Sequence, residues 1–342
     1  MHKLTLDLIE STPSHLTTVR FLDLSGVFLS PRIQETLSKI LPISRVISVR
    51  LVNNGLSEAS NLLLSSLRAP TVRNIDLSRN GFSTTMTVSE AKRFQEVCSR
   101  SNVRVLNLTC LTSFSLSFFI YLFQGLSCNT SIQEVNLCNN FIQNKSLLNL
   151  GFSSLAKCPS LVHLSIKGSS VALSTMSVFF GAKTSIKSMV LWNCFSEPLK
   201  PLLSSIIQCK TLQNLELGNN SCRIDSEDVY SLMTGIRSLR FLGLAGVNLD
   251  KLAFISLAEA LSISKLRWLD LRSNTSSLSV LKSLSCAIKF NTNLFKLTIT
   301  KADFINNDLA IEANSVEEHL SGYIGIIESK CEENRNLVCE EC

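Results

Sequence analysis

Residues 260–274 read ALSISKLRWLDLRSN, and one spacing inside them decides the architecture. Leu266, Leu269, Leu271 and Asn274 stand at L-x-x-L-x-L-x-x-N. With an aliphatic residue accepted at each L, the same template recurs in both directions along the chain. Its second aliphatic falls at Leu22, Val49, Ile75, Leu106, Val135, Leu164, Met189, Leu215, Leu242, Leu269 and Leu297. The steps run from 25 to 31 residues with a mean of 27.5, so eleven copies stay in phase across most of the 342 residues. In x-L-x-L-x the side chains alternate faces, so the leucines point inward and the intervening residues point the other way. A coil of this length cannot enclose its own apolar stripe, so neighbouring coils must stack and share one core. The Asn slot follows each strand, where a side-chain amide can satisfy backbone groups left unpaired by the turn. Asn54, Asn80, Asn140, Asn220 and Asn274 fill it; Val27, Leu111, Ser169, Cys194, Val247 and Ala302 stand in the others.

Between the strands, Ser57 to Leu67, Ser89 to Cys98, Leu252 to Leu261 and Leu278 to Ile288 place apolar residues at helical spacing. Ser57 and Ser89 are candidate N-caps. The expected fold is therefore an α/β solenoid of about eleven coils, with parallel strands on a concave face and helices on a convex one. Residues 1–18 read as an N-terminal cap or eroded coil, 19–302 as the solenoid, and 303–342 as a capping helix (Val316 to Asn336) with a short tail. A period near 28 with helical returns, and segments such as ALSISKLRWLDLRSN and AIKFNTNLFKLTI, resemble the ribonuclease-inhibitor-like class of leucine-rich repeat. That class includes the cytosolic ribonuclease inhibitor, the Ran GTPase-activating protein, tropomodulin and the repeat regions of NOD-like receptors. The resemblance covers roughly Val19 to Ile299 and is one of scaffold, which does not carry a function with it.

Composition narrows the function classes. The chain is 45% hydrophobic, 18% charged and carries a net charge of +6. Its lysines and arginines are scattered along the sequence, and the densest group, Lys265, Arg267 and Arg272, is interrupted by Asp270. A nucleic-acid partner is not expected from that distribution. The N-terminal residues lack the apolar core of a signal peptide. The sequons at Asn107, Asn129, Asn144, Asn219 and Asn274 read as accidents of an Asn- and Ser-rich chain, so a cytoplasmic or nuclear location is expected. The most apolar window, Leu111 to Leu126, is too short and too interrupted to span a membrane. It reads as the helix of the fourth coil, apolar on nearly every side, and as a candidate second contact surface.

Twelve cysteines are present. Cys128, Cys158 and Cys209 recur six or seven residues before a strand's central aliphatic, which suggests small buried side chains rather than disulfides. Cys339 and Cys342 form C-E-E-C with no fourth zinc ligand near Cys331, so neither metal nor cofactor is expected. No phosphate loop, nucleophile elbow or H-E-x-x-H motif occurs, and only four histidines are available, so catalysis is not expected.

Function then falls to the outward positions of the strands. Both tryptophans, Trp192 and Trp268, land there. Phe241 shares a column with Trp268 one strand away, about 5 Å apart. Gly243 and Ala245 beside them are small. Aromatic and Arg anchors in a polar ring are the composition of binding hot spots. The candidate partner-binding patch is Phe241, Trp268 and Arg272, with Asp270 and Trp192 at its edges. The expected function is a non-catalytic scaffold that binds another protein on the concave face. The resemblance also implies two alternatives, a GTPase activator like the Ran-directed one and the sensing region of a NOD-like receptor. The first lacks the long acidic tail of its family; here only Glu332, Glu333, Glu340 and Glu341 stand near the end.

Overall fold

The computed structural model describes residues 19–340 except 57–59, 83–86, 112, 115, 141–144, 170, 184, 222 and 306–312. Ten of the eleven coils follow one plan. A three-residue strand carries the central aliphatic, a left-handed residue turns the chain, and an α-helix returns it. The left-handed position is the one before the Asn slot. It is occupied by Gly26, Asn53, Arg79, Cys110, Asn139, Gly168, Asn193, Asn219, Gly246 and Ser273, all with φ between 52° and 74°. Contacts divide the coils into two compact units, residues 1–183 and 184–342.

In the first unit, β1 (Phe21–Asp23), β2 (Ser48–Arg50), β3 (Asn74–Asp76), β5 (Val105–Asn107), β7 (Glu134–Asn136) and β8 (His163–Ser165) pair in that order, all parallel. The register aligns Leu22, Val49, Ile75, Leu106, Val135 and Leu164 in one row, each at most 2% exposed. Burying each aliphatic contributes about 1.5–3 kcal/mol, so the row is a large share of the shared core. A second parallel pair, β4 (Gly81–Phe82) with β6 (Ser113–Phe114), lies outside that ladder and carries no repeat signature.

The helices of this unit are α1 (Pro31–Ile40), α2 (Asn61–Arg68), α3 (Val88–Arg100), α4 (Leu116–Ser127), α5 (Lys145–Ala156) and α6 (Leu173–Ala182). The expected cap at Ser89 is corrected to Thr87, which forms a capping box with Glu90; Ser57 lies outside the described residues. The candidate second contact surface on α4 is also corrected. Phe118, Phe119, Leu122, Phe123 and Leu126 are all buried. Their rings belong to a run that begins with Phe82 stacked on Phe118 at 4.5 Å and passes through Phe119, Phe123, Phe152 and Phe179 to Phe180. The helix is apolar because it lies between neighbours on both sides.

The second unit pairs β9 (Ser188–Val190), β10 (Asn214–Glu216), β11 (Phe241–Gly243), β12 (Trp268–Asp270) and β13 (Lys296–Thr298), again parallel and in register. Its return helices are α7 (Lys200–Ile206), α8 (Ser226–Gly235), α9 (Lys251–Leu261) and α10 (Leu278–Ile288), followed by a short turn of helix, α11 (Ala302–Ile305). A long final helix, α12 (Ala313–Glu340), covers the region expected as Val316 to Asn336 and packs on α10 and β13. Each unit is thus an α/β leucine-rich repeat solenoid, as the template requires.

The cysteine column holds in two of its three places. Cys158 and Cys209 are buried, and burial pushes their thiols up, Cys209 to about 11. Cys128 is exposed, which corrects the third. Its neighbour Asn129 takes the inward position, six residues before Val135, and is 1% exposed. The Asn129 amide donates to the carbonyls of Cys98 and Ser101 at 2.7 and 2.8 Å.

Candidate functional site

The outward residues of the second unit form columns because its strands pair without a slip. The first column runs Ser188, Asn214, Phe241, Trp268, Lys296, and the second Val190, Glu216, Gly243, Asp270, Thr298. Trp192, Gly218, Ala245 and Arg272 stand two residues further along their coils.

Trp268 is the centre of the first column. Its ring meets Phe241 at 4.7 Å between centroids with a 53° tilt, and Lys296 Nζ sits 3.9 Å from its centroid. The tilted ring pair and the cation over the indole are both attractive geometries. The indole Nε1–H donates to Thr298 Oγ1 at 3.0 Å, so the ring is oriented as well as covered. It remains half-buried, with part of its surface open.

Arg272 is held just as firmly. Its Nε and Nη2 donate to the Asp270 carboxylate at 2.9 and 2.6 Å, and the Arg272 backbone N–H donates to Oδ1 at 3.2 Å. The Asp270 side chain is 3% exposed and that of Arg272 is 51% exposed. Asp270, expected at the rim, therefore lies beneath the arginine and orients it. The hydrogen bond and charge of Asp270, with a smaller contribution from Glu216, hold the guanidinium above its ordinary pKa.

The small residues have a definite use. A methyl at Gly218 would collide with the six-membered ring of Trp192, and one at Gly243 would collide with the Glu216 carboxylate. Trp192 and Glu216 therefore each lie across the backbone of the next coil. Glu216 was not singled out from the sequence. The signal that could have found it is a glycine directly opposite it in the following coil, which lets a long side chain lie flat. The result is one surface with an aromatic–cation stack (Phe241, Trp268, Lys296), an anchored guanidinium and a carboxylate beside it.

The strand face of the first unit is built differently. Arg50 bridges Asp23 and Asp76 at 3.2 and 3.7 Å, so an ion-pair network stands where the second unit has its aromatic stack. Among the described residues no group of His, Cys, Asp and Glu could hold a metal ion; Cys342 and the side chain of Cys339 lie outside them. No described helix is long and apolar enough to cross a membrane.

No protein-family model matches this sequence, and no curated protein matches it. Among solved structures it is similar to an internalin from Listeria monocytogenes, at 16% identity over 84% of each chain with a TM-score of 0.48. It is also similar to the leucine-rich repeat-containing protein LegL7 from Legionella pneumophila, at 18% identity over 88% of this chain and 97% of that one, TM-score 0.49. A chain of the Toll–Spatzle complex from Drosophila matches at 16% identity over 88% of this chain and 40% of that one, TM-score 0.49.

Proposed function

We propose that this protein is a non-catalytic interaction scaffold of the ribonuclease-inhibitor-like class, acting in the cytoplasm or nucleus. Its partner is a protein that docks on the strand face of the second unit. The single observation behind this reading is the half-open Trp268 ring, fixed by Phe241, Lys296 and Thr298 beside the anchored Arg272. Rigid aromatic and Arg side chains lose little freedom on binding, which is why they dominate interface energetics. A partner meeting this patch would place an apolar group on Trp268 and a carboxylate or carbonyl on the free edge of Arg272. The Asp270 carboxylate is committed to Arg272 and supports the patch from below.

The test uses the wild type as an affinity bait, followed by a direct measurement of the affinity of each retained protein for wild type and for Trp268→Ala. Truncating such an anchor typically costs about 2 kcal/mol, or roughly a thirtyfold weaker affinity. Equal affinity for both would remove the patch from consideration.

A further inference from the structure

Cations that are scattered along the sequence are gathered by the fold. A residue type that recurs at one phase of a 27-residue period lands on one edge of the solenoid. In the second unit, the helix-to-strand loops are residues 185–187, 207–213, 236–240, 262–267 and 289–295. They read SIK, IQCKTLQ, IRSLR, SISKLR and KFNTNLF, with seven lysines and arginines and no aspartate or glutamate. None of the seven is in an ion pair among the described residues; six are exposed, and Arg240 is half-buried. The strand-to-helix loops of the same unit behave differently, for there Arg223 pairs with Asp250 and Arg272 with Asp270. On α12, Glu332 is paired with Arg335 and Glu333 with Lys330. Loops that carry seven cations and no carboxylate, opposite loops in which both signs occur, mark the cationic edge as the side that meets a polyanion.

The same loops expose large apolar side chains. Ile263 and Phe290 are 67% and 78% exposed. They are equivalent positions of consecutive coils, each two residues beyond the last residue of its helix. Lys265, Arg267 and Lys289 stand beside them. Phe290 also lines an open, mainly apolar groove of about 510 Å³ between α9 and α10, with Ala258, Cys286 and Ala287 and with Glu259 and Lys282 as its charged members. Phosphates of a nucleic acid would account for the cations, and a base could stack on Phe290. An aliphatic tip at Ile263 offers no stacking platform, whereas both tips suit the boundary between lipid headgroups and acyl chains.

From these loops we infer that the second unit docks peripherally on an anionic phospholipid surface. Arg240, Lys265, Arg267 and Lys289 face the headgroups, and Ile263 and Phe290 enter the interface. Arg240 and Arg267 directly precede Phe241 and Trp268, but the lipid-facing side chains are not those of the patch, so Trp268→Ala tells the two readings apart.

The experiment is co-sedimentation with phosphatidylcholine vesicles, with and without phosphatidylserine, at low and high salt. Wild type is expected to sediment only with the anionic vesicles and to be released by salt. Each cation near an anionic surface is worth about a fivefold change in partition, so Lys265→Gln with Arg267→Gln should weaken binding by about 25-fold. Ile263→Ser with Phe290→Ser should weaken it several-fold while leaving its salt dependence intact. Trp268→Ala should bind as wild type. All these side chains are at the surface, and an unchanged far-UV spectrum and melting temperature would check the fold. Absence of wild-type sedimentation with anionic vesicles would overturn the inference. So would full retention by the double-serine variant. Tighter binding to a single-stranded oligonucleotide than to the vesicles would make nucleic acid the ligand instead.

Discussion

A single buried amide shows how much one residue contributes to this fold. Asn220 is 0% exposed and uses all of its side-chain capacity. Its Nδ2 donates to the carbonyls of Leu191 and Leu217 at 2.9 and 2.5 Å, and its Oδ1 accepts from the backbone N–H groups of Cys194 and Phe195 at 2.8 and 2.9 Å. It therefore closes its own turn and ties it to the previous coil. Asn80 and Asn274 make the same four kinds of contact. Where the slot holds Ser169, the hydroxyl replaces half of them, donating to Leu137 O and accepting from Asn140 N. Each buried polar group left unpaired costs about 1–3 kcal/mol, so Asn220→Ala should destabilise the protein by about 4 kcal/mol and Ser169→Ala by about 2 kcal/mol. Chemical denaturation of the two variants would check the ordering; equal losses would contradict it. The slot was legible in the sequence because asparagine recurs there. The left-handed residue before it was not, because ten coils meet that backbone demand with residues as unlike as glycine, Arg79 and Cys110. Trp268 was placed beside Phe241 by register alone. The burial of Asp270 was hidden, since only packing shows that Arg272 folds back over it.

At the scale of elements, helical periodicity located the return segments, while their first turns followed hydrogen bonding. Helix α10 spans the interval read from the sequence, Leu278–Ile288, because its apolar stripe and its boundaries coincide. Helix α3 begins earlier than Ser89 because Thr87 and Glu90 satisfy each other's backbone N–H groups. The apolar character of α4 was readable, but its meaning was not. Only the neighbouring coils, which supply Phe82, Phe94 and Phe152, show that its rings have partners. The start of α8 carries a testable electrostatic tension. Asp225 caps the helix by accepting from the Asp228 backbone N–H at 3.0 Å, and Glu227 adds a second negative neighbour. Partial burial first, and then the charge of Asp225, push the Asp228 carboxyl up to about 6 from the usual 3.8, with Lys200 opposing. A carboxyl raised in the folded state favours folding when protonated, so this contribution is lost as pH rises from about 4 to about 6. Asp228→Asn keeps the shape and a donor toward Asp225 without the charge. Solvent screening at this half-buried site limits the gain to about 1 kcal/mol at neutral pH. Thermal melts across pH should show the variant ahead above pH 6 and level with wild type below pH 4. A constant gap would assign the effect to packing.

Each unit repeats a second, less visible ladder on its helix-to-strand side, and in the second unit the last helix completes it. Asn129 Nδ2 reaches back to Cys98 O and Ser101 O, and Asn291 Nδ2 reaches back to Leu261 O and, at 3.5 Å, to Ser264 O. Ser160 and Ser238 use hydroxyls for the same purpose. In α12 the amide of Asn334 donates to Asn291 O and Leu294 O at 3.0 and 2.8 Å, although α12 is a helix and carries no repeat template. Asn334 thus supplies the contact that a further coil would have made. Leu320, Ile324, Ile327 and Cys331 precede it on one stripe at steps of four, three and four residues, and all are buried. A stacked core needs its terminal face covered by an element with a polar outer side, and α12 has that construction. The amphipathic stripe was legible from the sequence; the mimicry at Asn334 was not, because it depends on where the helix lies against the last loop. Removing residues 313–342 should therefore bare Leu294, Leu297 and the flank of α10 to water. The expected outcome is strong binding of a hydrophobic dye, self-association on gel filtration and a melting temperature lower by several degrees. Asn334→Ala should reproduce a small part of the loss, about 2 kcal/mol, by orphaning two carbonyls without exposing apolar surface. A truncated chain that keeps the wild-type association state and melts like wild type would show that β13 needs no cover, and that α12 serves some purpose other than closing the core.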